Sequence, residues 1–196
     1  MDAARYVIAL IVVVSFPASV LAWLVLHPFI GFWRRLGPVW TMIIVGLAAL
    51  ATWVLLFLLR NPLLAVEFGT NIALVPAAIV SYSVAVVLEV RCRKHLKLGM
   101  LVVLPEIDPA GRGAKLLTDG IYGKIRHPRY LAFMFGLLAT ALFCNYLTVY
   151  LYVPGLALAF HFVVLTEEKE LHDRFGSEYA SYCARVPRFI PRRRSA

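Results

Sequence analysis

Long apolar runs alternate with short polar seams along this chain, and the runs are long enough to cross a bilayer. Tyr6 to Leu26, Val39 to Leu59 and Ile72 to Val90 form the first three. Each holds about twenty residues, which as a helix rising ~1.5 Å per residue covers the ~30 Å of hydrocarbon. Tyr130 to Phe143 and Leu147 to Leu165 follow, separated only by Cys144-Asn145-Tyr146. So short a seam predicts a helical hairpin over 130–165 with antiparallel arms. Its first arm, at about fourteen residues, is short for a span and is expected to begin below the membrane surface. Arg60-Asn61-Pro62 closes the second run with a charge and a turn signal, and Pro76 falls in the first turn of the third, where its missing N–H costs little. Pro154-Gly155 permits a kink or close backbone approach in the last run. The first run exceeds the ~7–15 apolar residues of a signal peptide and lacks a clear cleavage site, so it reads as a retained span.

Residues 91–129 break the pattern with nine Lys or Arg residues. Within them Met100–Leu104 is too short to span, and Pro105–Gly113 is rich in Pro and Gly and reads as a loop. The stretch is expected to re-enter or lie on the membrane. After Leu165, residues Leu171, Phe175, Tyr179, Tyr182 and Val186 recur at spacings of 4, 4, 3 and 4, an amphipathic helical pattern. Gly176 predicts a helix end, with Ser177 capping the next. Val186-Pro187-Arg188-Phe189-Ile190-Pro191 predicts an extended strap. The fold expected is therefore an all-α polytopic membrane protein. It has five transmembrane helices, a C-terminal hairpin among them, followed by cytoplasmic amphipathic helices. Residues 1–90 supply three helices and 91–196 a second region.

Composition agrees. The 196 residues are 61% hydrophobic and 16% charged, where a soluble domain carries about a quarter charged residues. The net charge of +9 is not that of a nucleic-acid binder, since the basic residues cluster at the ends of apolar runs and form no reader motif. They fit anionic headgroups and the positive-inside rule instead. With 91–129 and the tail placed inside, 18 of the 20 basic residues lie there and only Arg5 and Arg60 outside. The expectation is an integral multi-pass protein with its N-terminus outside and its C-terminus cytoplasmic. Glu89 is expected at the interface beside Arg91 and Arg93. Cys92, Cys144 and Cys183 are odd in number and lack C-x-x-C spacing, so neither a disulfide framework nor a metal site is expected.

One seam carries chemistry. Gly120-Ile121-Tyr122-Gly123-Lys124-Ile125-Arg126-His127-Pro128-Arg129-Tyr130 packs Arg, His, Pro and Tyr where a helix re-enters lipid. Hydrocarbon penalises such groups, which makes the seam a candidate site. Glu167-Glu168 closes the last apolar run. Function rests on these two clusters meeting, both on the cytoplasmic face.

Lys115-Leu116-Leu117-Thr118-Asp119-Gly120-Ile121-Tyr122, then Arg126-His127-Pro128-Arg129-Tyr130-Leu131, Glu167-Glu168, Phe175-Gly176-Ser177-Glu178-Tyr179-Ala180-Ser181-Tyr182 and Val186–Pro191 resemble, in order and spacing, the isoprenylcysteine carboxyl methyltransferase family. Membrane phospholipid methyltransferases share parts of the pattern. The resemblance covers residues 113–191 and implies S-adenosylmethionine-dependent methyl transfer at the cytoplasmic face to a lipophilic or prenylated acceptor. By position it implies cofactor contacts from Lys115, Leu116, Leu117, Tyr122, His127, Pro128 and Tyr130, with Glu167 facing them and the weak candidate for a catalytic role. Two tyrosines can supply aromatic walls, His127 a donor or acceptor, and Glu167 an acceptor for hydroxyl or ammonium hydrogens. The family pattern also places an arginine four residues before the first acid. Val163 stands here, and His161 lies about 160° around a helix from it. Two rivals stay open: a sterol-reductase-like enzyme using a reduced nicotinamide cofactor, which shares R-H-P-x-Y but is expected to have more spans, and a non-catalytic membrane scaffold.

Overall fold

A computed structural model describes residues 1–26, 28–94 and 116–191. The short run Met100–Leu104, the Pro-Gly loop, Lys115 and Arg192-Arg193-Arg194 lie outside the described residues. The helices are α1 (Asp2–Leu26), α2 (Ile30–Leu36), α3 (Pro38–Leu58), α4 (Arg60–Leu63), α5 (Val75–Arg93), α6 (Pro128–Cys144) and α7 (Leu147–Arg185), with a 3-10 turn Ile72–Leu74 before α5. Among the described residues there is no strand, only an isolated bridge between Glu67 and Tyr146. Prolines open α3, α5 and α6 within their first turns, where no intrahelical N–H is needed.

Four helices are long and apolar enough to cross a membrane: Asp2–Leu26, Pro38–Leu58, Ile72–Arg93 and Leu147–Arg185. This is an integral membrane protein. The fifth expected span is the 17-residue α6, about 25 Å at ~1.5 Å per residue and so shorter than the hydrocarbon. It stands as an arm of the hairpin and lies at the short limit of the spanning range, so four helices rather than five have full spanning length. The short α2 was not foreseen; it carries Arg34 and Arg35 on one turn.

The hairpin turns at Asn145, whose left-handed φ of 58° ends α6. Asn tolerates that conformation better than most residues because it has a short polar side chain. α1 packs into the hairpin: Ala9 and Val13 share one buried core with Leu137, Ala141, Val149, Leu156 and Val163. α5 lies along α6, where Leu88 and Cys92 meet Ile121, Ile125 and Ala132.

α7 runs past the apolar stretch and bends at Gly176, where φ 51° and ψ −122° leave the helical region. The sequence-based break stands, as a bend inside one continuous element. Leu116, Tyr179, Tyr182 and Val186 then form a separate small core. A Cβ at Gly176 would meet nothing within 4 Å, so a substitution there suffers from backbone conformation alone. Gly176→Ala is expected to cost about 1–3 kcal/mol, read as a lower unfolding midpoint in detergent. An unchanged midpoint would mean that the bend is not held by this residue.

Candidate functional site

The seam before α6 is a tight turn series. Backbone N–H groups of Tyr122, Lys124 and Ile125 donate to Asp119 O, Ile121 O and Ile121 O at 3.1, 3.0 and 3.1 Å. Gly123 fits because a Cβ there would sit 2.9 Å from Thr118 O. Ile125 is buried, and the next residues meet the C-terminal strap. Arg126 N–H donates to Pro187 O at 2.9 Å and His127 N–H to Arg188 O at 3.1 Å. The strap is therefore docked by main-chain bonds onto the R-H-P corner.

The two clusters meet. Tyr130, on the first turn of α6, donates its hydroxyl to Glu167 Oε2 at 2.7 Å. The buried His127 ring has Nε2 3.0 Å from Glu168 Oε1 and Nδ1 3.6 Å from Glu167 Oε2. Its ring lies beside those of Tyr130 and Phe189, at centroid distances of 5.7 and 6.0 Å. Pro128 is fully buried as the first residue of α6. Tyr130 also packs on Phe160 of α7 at 4.7 Å, so the helix pair sets its position.

The remaining expected residues stand one step away. Tyr122 is half-buried; its backbone carbonyl accepts from Tyr182 OH at 2.6 Å. Burial in an apolar neighbourhood raises the pKa of its phenol well above the usual range, so it acts only as a neutral hydroxyl. Leu116 is buried against the tail tyrosines and Leu117 is half-buried.

The two acids differ sharply. Glu167 is 28% exposed and has one oxygen occupied by Tyr130. Glu168 is 13% exposed and holds three cationic or potentially cationic groups. Arg188 Nε reaches both its oxygens at 3.0 and 3.1 Å, Arg188 Nη2 donates to Oε2 at 2.6 Å, and Arg126 Nη2 lies 3.3 Å from Oε1. Arg126 also contacts the Cys183 thiol, and among the described residues its buried Nε has no hydrogen-bond partner. The sequence pattern assigns no role to Glu168, Arg126 or Arg188. The available signal was one acid too many beside two arginines in adjoining motifs.

Val163 is 1% exposed within the core that contains Tyr130 and Leu137. An arginine in that place would sit among apolar side chains. His161 is exposed on the outer face of α7, because it falls on the side opposite the hairpin core.

Residues 41–192 match the family model described as "Ergosterol biosynthesis ERG4/ERG24 family", and the chain belongs to that family. It is similar to the protein-S-isoprenylcysteine O-methyltransferase of Schizosaccharomyces pombe, 38% identical over 39% of this chain and 33% of that enzyme. A Delta(14)-sterol reductase of Mus musculus is 35% identical over 44% of this chain and 21% of its own length. Methanethiol S-methyltransferase 1 of Bradyrhizobium diazoefficiens is 39% identical over 40% of this chain and 27% of its own. The chain spans at most about a third of these relatives. The resemblance to isoprenylcysteine methyltransferases stands. The relatives' names divide between methyl transfer and reduction, and the reaction has to be argued from the site.

Proposed function

We propose that this protein is an S-adenosylmethionine-dependent methyltransferase whose site lies at the cytoplasmic end of the hairpin and takes a lipophilic acceptor. The observation that carries it is the half-exposed Glu167 carboxylate held by Tyr130 beside a buried His127. One carboxylate oxygen and the open edge of the other remain as acceptors for the ammonium and hydroxyl hydrogens of the cofactor. The orphaned Nε of Arg126 supplies a donor of opposite sense, matching a zwitterionic amino-acid end. The residues therefore fit the group. Glu167, His127 and Pro128 would hold it, and Tyr130 and Tyr122 would wall it, with Leu116, Leu117 and Lys115 contributing from the preceding segment. When bound, the cofactor supplies an electrophilic methyl on a sulfonium.

The protein's own contribution is placement. Methyl displacement needs alignment and exclusion of water more than acid catalysis. Tyr130 fixes the Glu167 rotamer, while the strap and Glu168 fix His127. Glu167 offsets positive charge on the donor side. With Val163 in place of the family's arginine, a carboxylate acceptor lacks that contact, which favours a small neutral or thiol-type lipophile over a prenylcysteine carboxylate. Such a molecule would enter laterally from lipid. The cytoplasmic placement of the site and C-terminus rests on the distribution of basic residues.

Glu167→Ala is expected to weaken S-adenosylmethionine binding by roughly 10- to 100-fold, the value of one or two charge-assisted hydrogen bonds. Isothermal calorimetry on the purified protein checks this, and unchanged affinity would remove Glu167 from the site. A second reading, a reductase using a reduced nicotinamide dinucleotide, is favoured by the family match over 41–192. Titration with each labelled cofactor separates the two: saturable binding of the nicotinamide dinucleotide and none of S-adenosylmethionine would replace the first reading.

A further inference from the structure

A concavity lies at the C-terminal end of α5. α5 ends in Arg91, Cys92, Arg93 and Lys94. Arg93 folds back to pair with Glu89 Oε1 at 2.8 Å, so its charge is answered. Arg91 and Lys94 instead line a hollow of about 270 Å³ together with Lys124, Gly120 and Ile121. Among the described residues, none of these three side-chain cations has an ion-pair or hydrogen-bond partner.

Cations at the end of a helix are favoured by the helix dipole, and that alone accounts for Arg91 and Lys94 as stop charges. It does not account for Lys124, which comes from the turn before α6 and converges on the same space. Three like charges around one hollow repel each other unless an anion sits between them. The hollow is therefore built for a negative group and against a cationic sulfonium. Its volume falls just under the roughly 300–1,000 Å³ of sites that take drug-sized ligands, so it suits a headgroup better than a whole dinucleotide.

Location chooses among anions. Ile121 belongs to the apolar cluster with Leu88 and Ile125. Val86, Val87 and Val90, on the turns of α5 just before the hollow, are 41%, 47% and 50% exposed. Such an apolar surface on a helix long enough to cross a membrane is suited to acyl chains. We propose that Arg91, Lys94 and Lys124 bind the phosphate of an anionic phospholipid at the membrane end of α5. Gly120, Ile121 and Lys124 belong to the same seam as Tyr122, but none of the three cations is a residue assigned to the cofactor, so loss of lipid binding and loss of cofactor binding can be read separately.

Native mass spectrometry of the full chain, purified in neutral detergent doped equally with phosphatidylglycerol and phosphatidylcholine, tests it. Selective retention of phosphatidylglycerol is expected. Lys94→Ala combined with Lys124→Ala should reduce it by roughly 25-fold, about fivefold per charge. The Lys94→Arg and Lys124→Arg pair should preserve it, as should Arg35→Ala, which removes an exposed cation outside the hollow. Equal retention of both lipids, or wild-type retention by a double alanine variant whose unfolding midpoint is unchanged, would overturn the proposal. So would displacement of phosphatidylglycerol by inorganic phosphate or a nucleotide at low millimolar concentration, which would assign the hollow to a soluble anion.

Discussion

Glu168→Ala is expected to lower stability by about 3–5 kcal/mol, because it removes one partner of a largely buried charge cluster and leaves the others uncompensated. The carboxylate is 13% exposed and touches Arg126, Arg188 and His127. Arg126 is itself only 12% exposed, and water cannot readily replace the lost counter-ion. Glu168→Gln keeps the shape and one acceptor, so a smaller loss of about 1–3 kcal/mol is expected. Denaturant titration in micelles checks both. Glu167→Ala should behave differently: its carboxylate is reachable by water and, among the described residues, its strong bond is to Tyr130, so stability should move by only about 1 kcal/mol while cofactor affinity falls by the roughly 10- to 100-fold given above. That division, once measured, would assign Glu168 to positioning and Glu167 to binding. An unfolding midpoint for Glu168→Ala equal to wild type would mean that the strap hangs on its two main-chain bonds, Arg126 N–H to Pro187 O and His127 N–H to Arg188 O, and needs no ionic hub.

Apolar period and punctuation made most of the helices readable. Three signals were local: the seam Cys144-Asn145-Tyr146, the break at Gly176, and the prolines that open α3, α5 and α6. The meeting of His127 and Tyr130 with Glu167 was readable only because several motifs stood in a familiar order; spacing alone cannot place residues 37 positions apart. What stayed hidden depends on partners. Whether an acid is solvated or the centre of a cluster is decided by which arginines the fold delivers to it, and Arg126 and Arg188 lie 42 and 20 positions from Glu168. The shortness of α6 was visible in its apolar length. Its consequence was not, because the shelter of neighbouring helices is a tertiary property. Arg5 is the clearest case. Counting charges placed it among the few basic residues on the outer side, with nothing to set it apart from Arg60.

Arg5→Met is expected to destabilise the protein by about 2–4 kcal/mol, with little effect on cofactor affinity. Arg60 is half-buried over Phe57, at 4.4 Å from its ring, whereas Arg5 is 1% exposed. Its Nε and Nη2 donate to Cys144 O at 3.0 and 2.8 Å, capping a carbonyl that the end of α6 leaves without a helical partner. Nη1 reaches Asp2 Oδ1, Thr70 Oγ1 and Glu67 Oε1 at 3.0, 2.8 and 2.8 Å. One side chain thus fastens the start of α1 to the hairpin turn and to the segment before α5. That segment also bonds the turn directly, through Phe68 N–H to Asn145 O at 3.0 Å and Leu147 N–H to Val66 O at 3.1 Å. Methionine keeps the apolar stem but leaves the Cys144 carbonyl buried without its donor. Glu67 is 38% exposed and can take water, which keeps the expected loss below that of Glu168→Ala. The knot sits at the opposite end of the hairpin from the acid pair, so hydrogen exchange should rise first at residues 64–71 and 144–147 of the variant. Loosening confined instead to the strap at 186–191 would show that the two ends of the hairpin are coupled, and that Arg5 acts on the site.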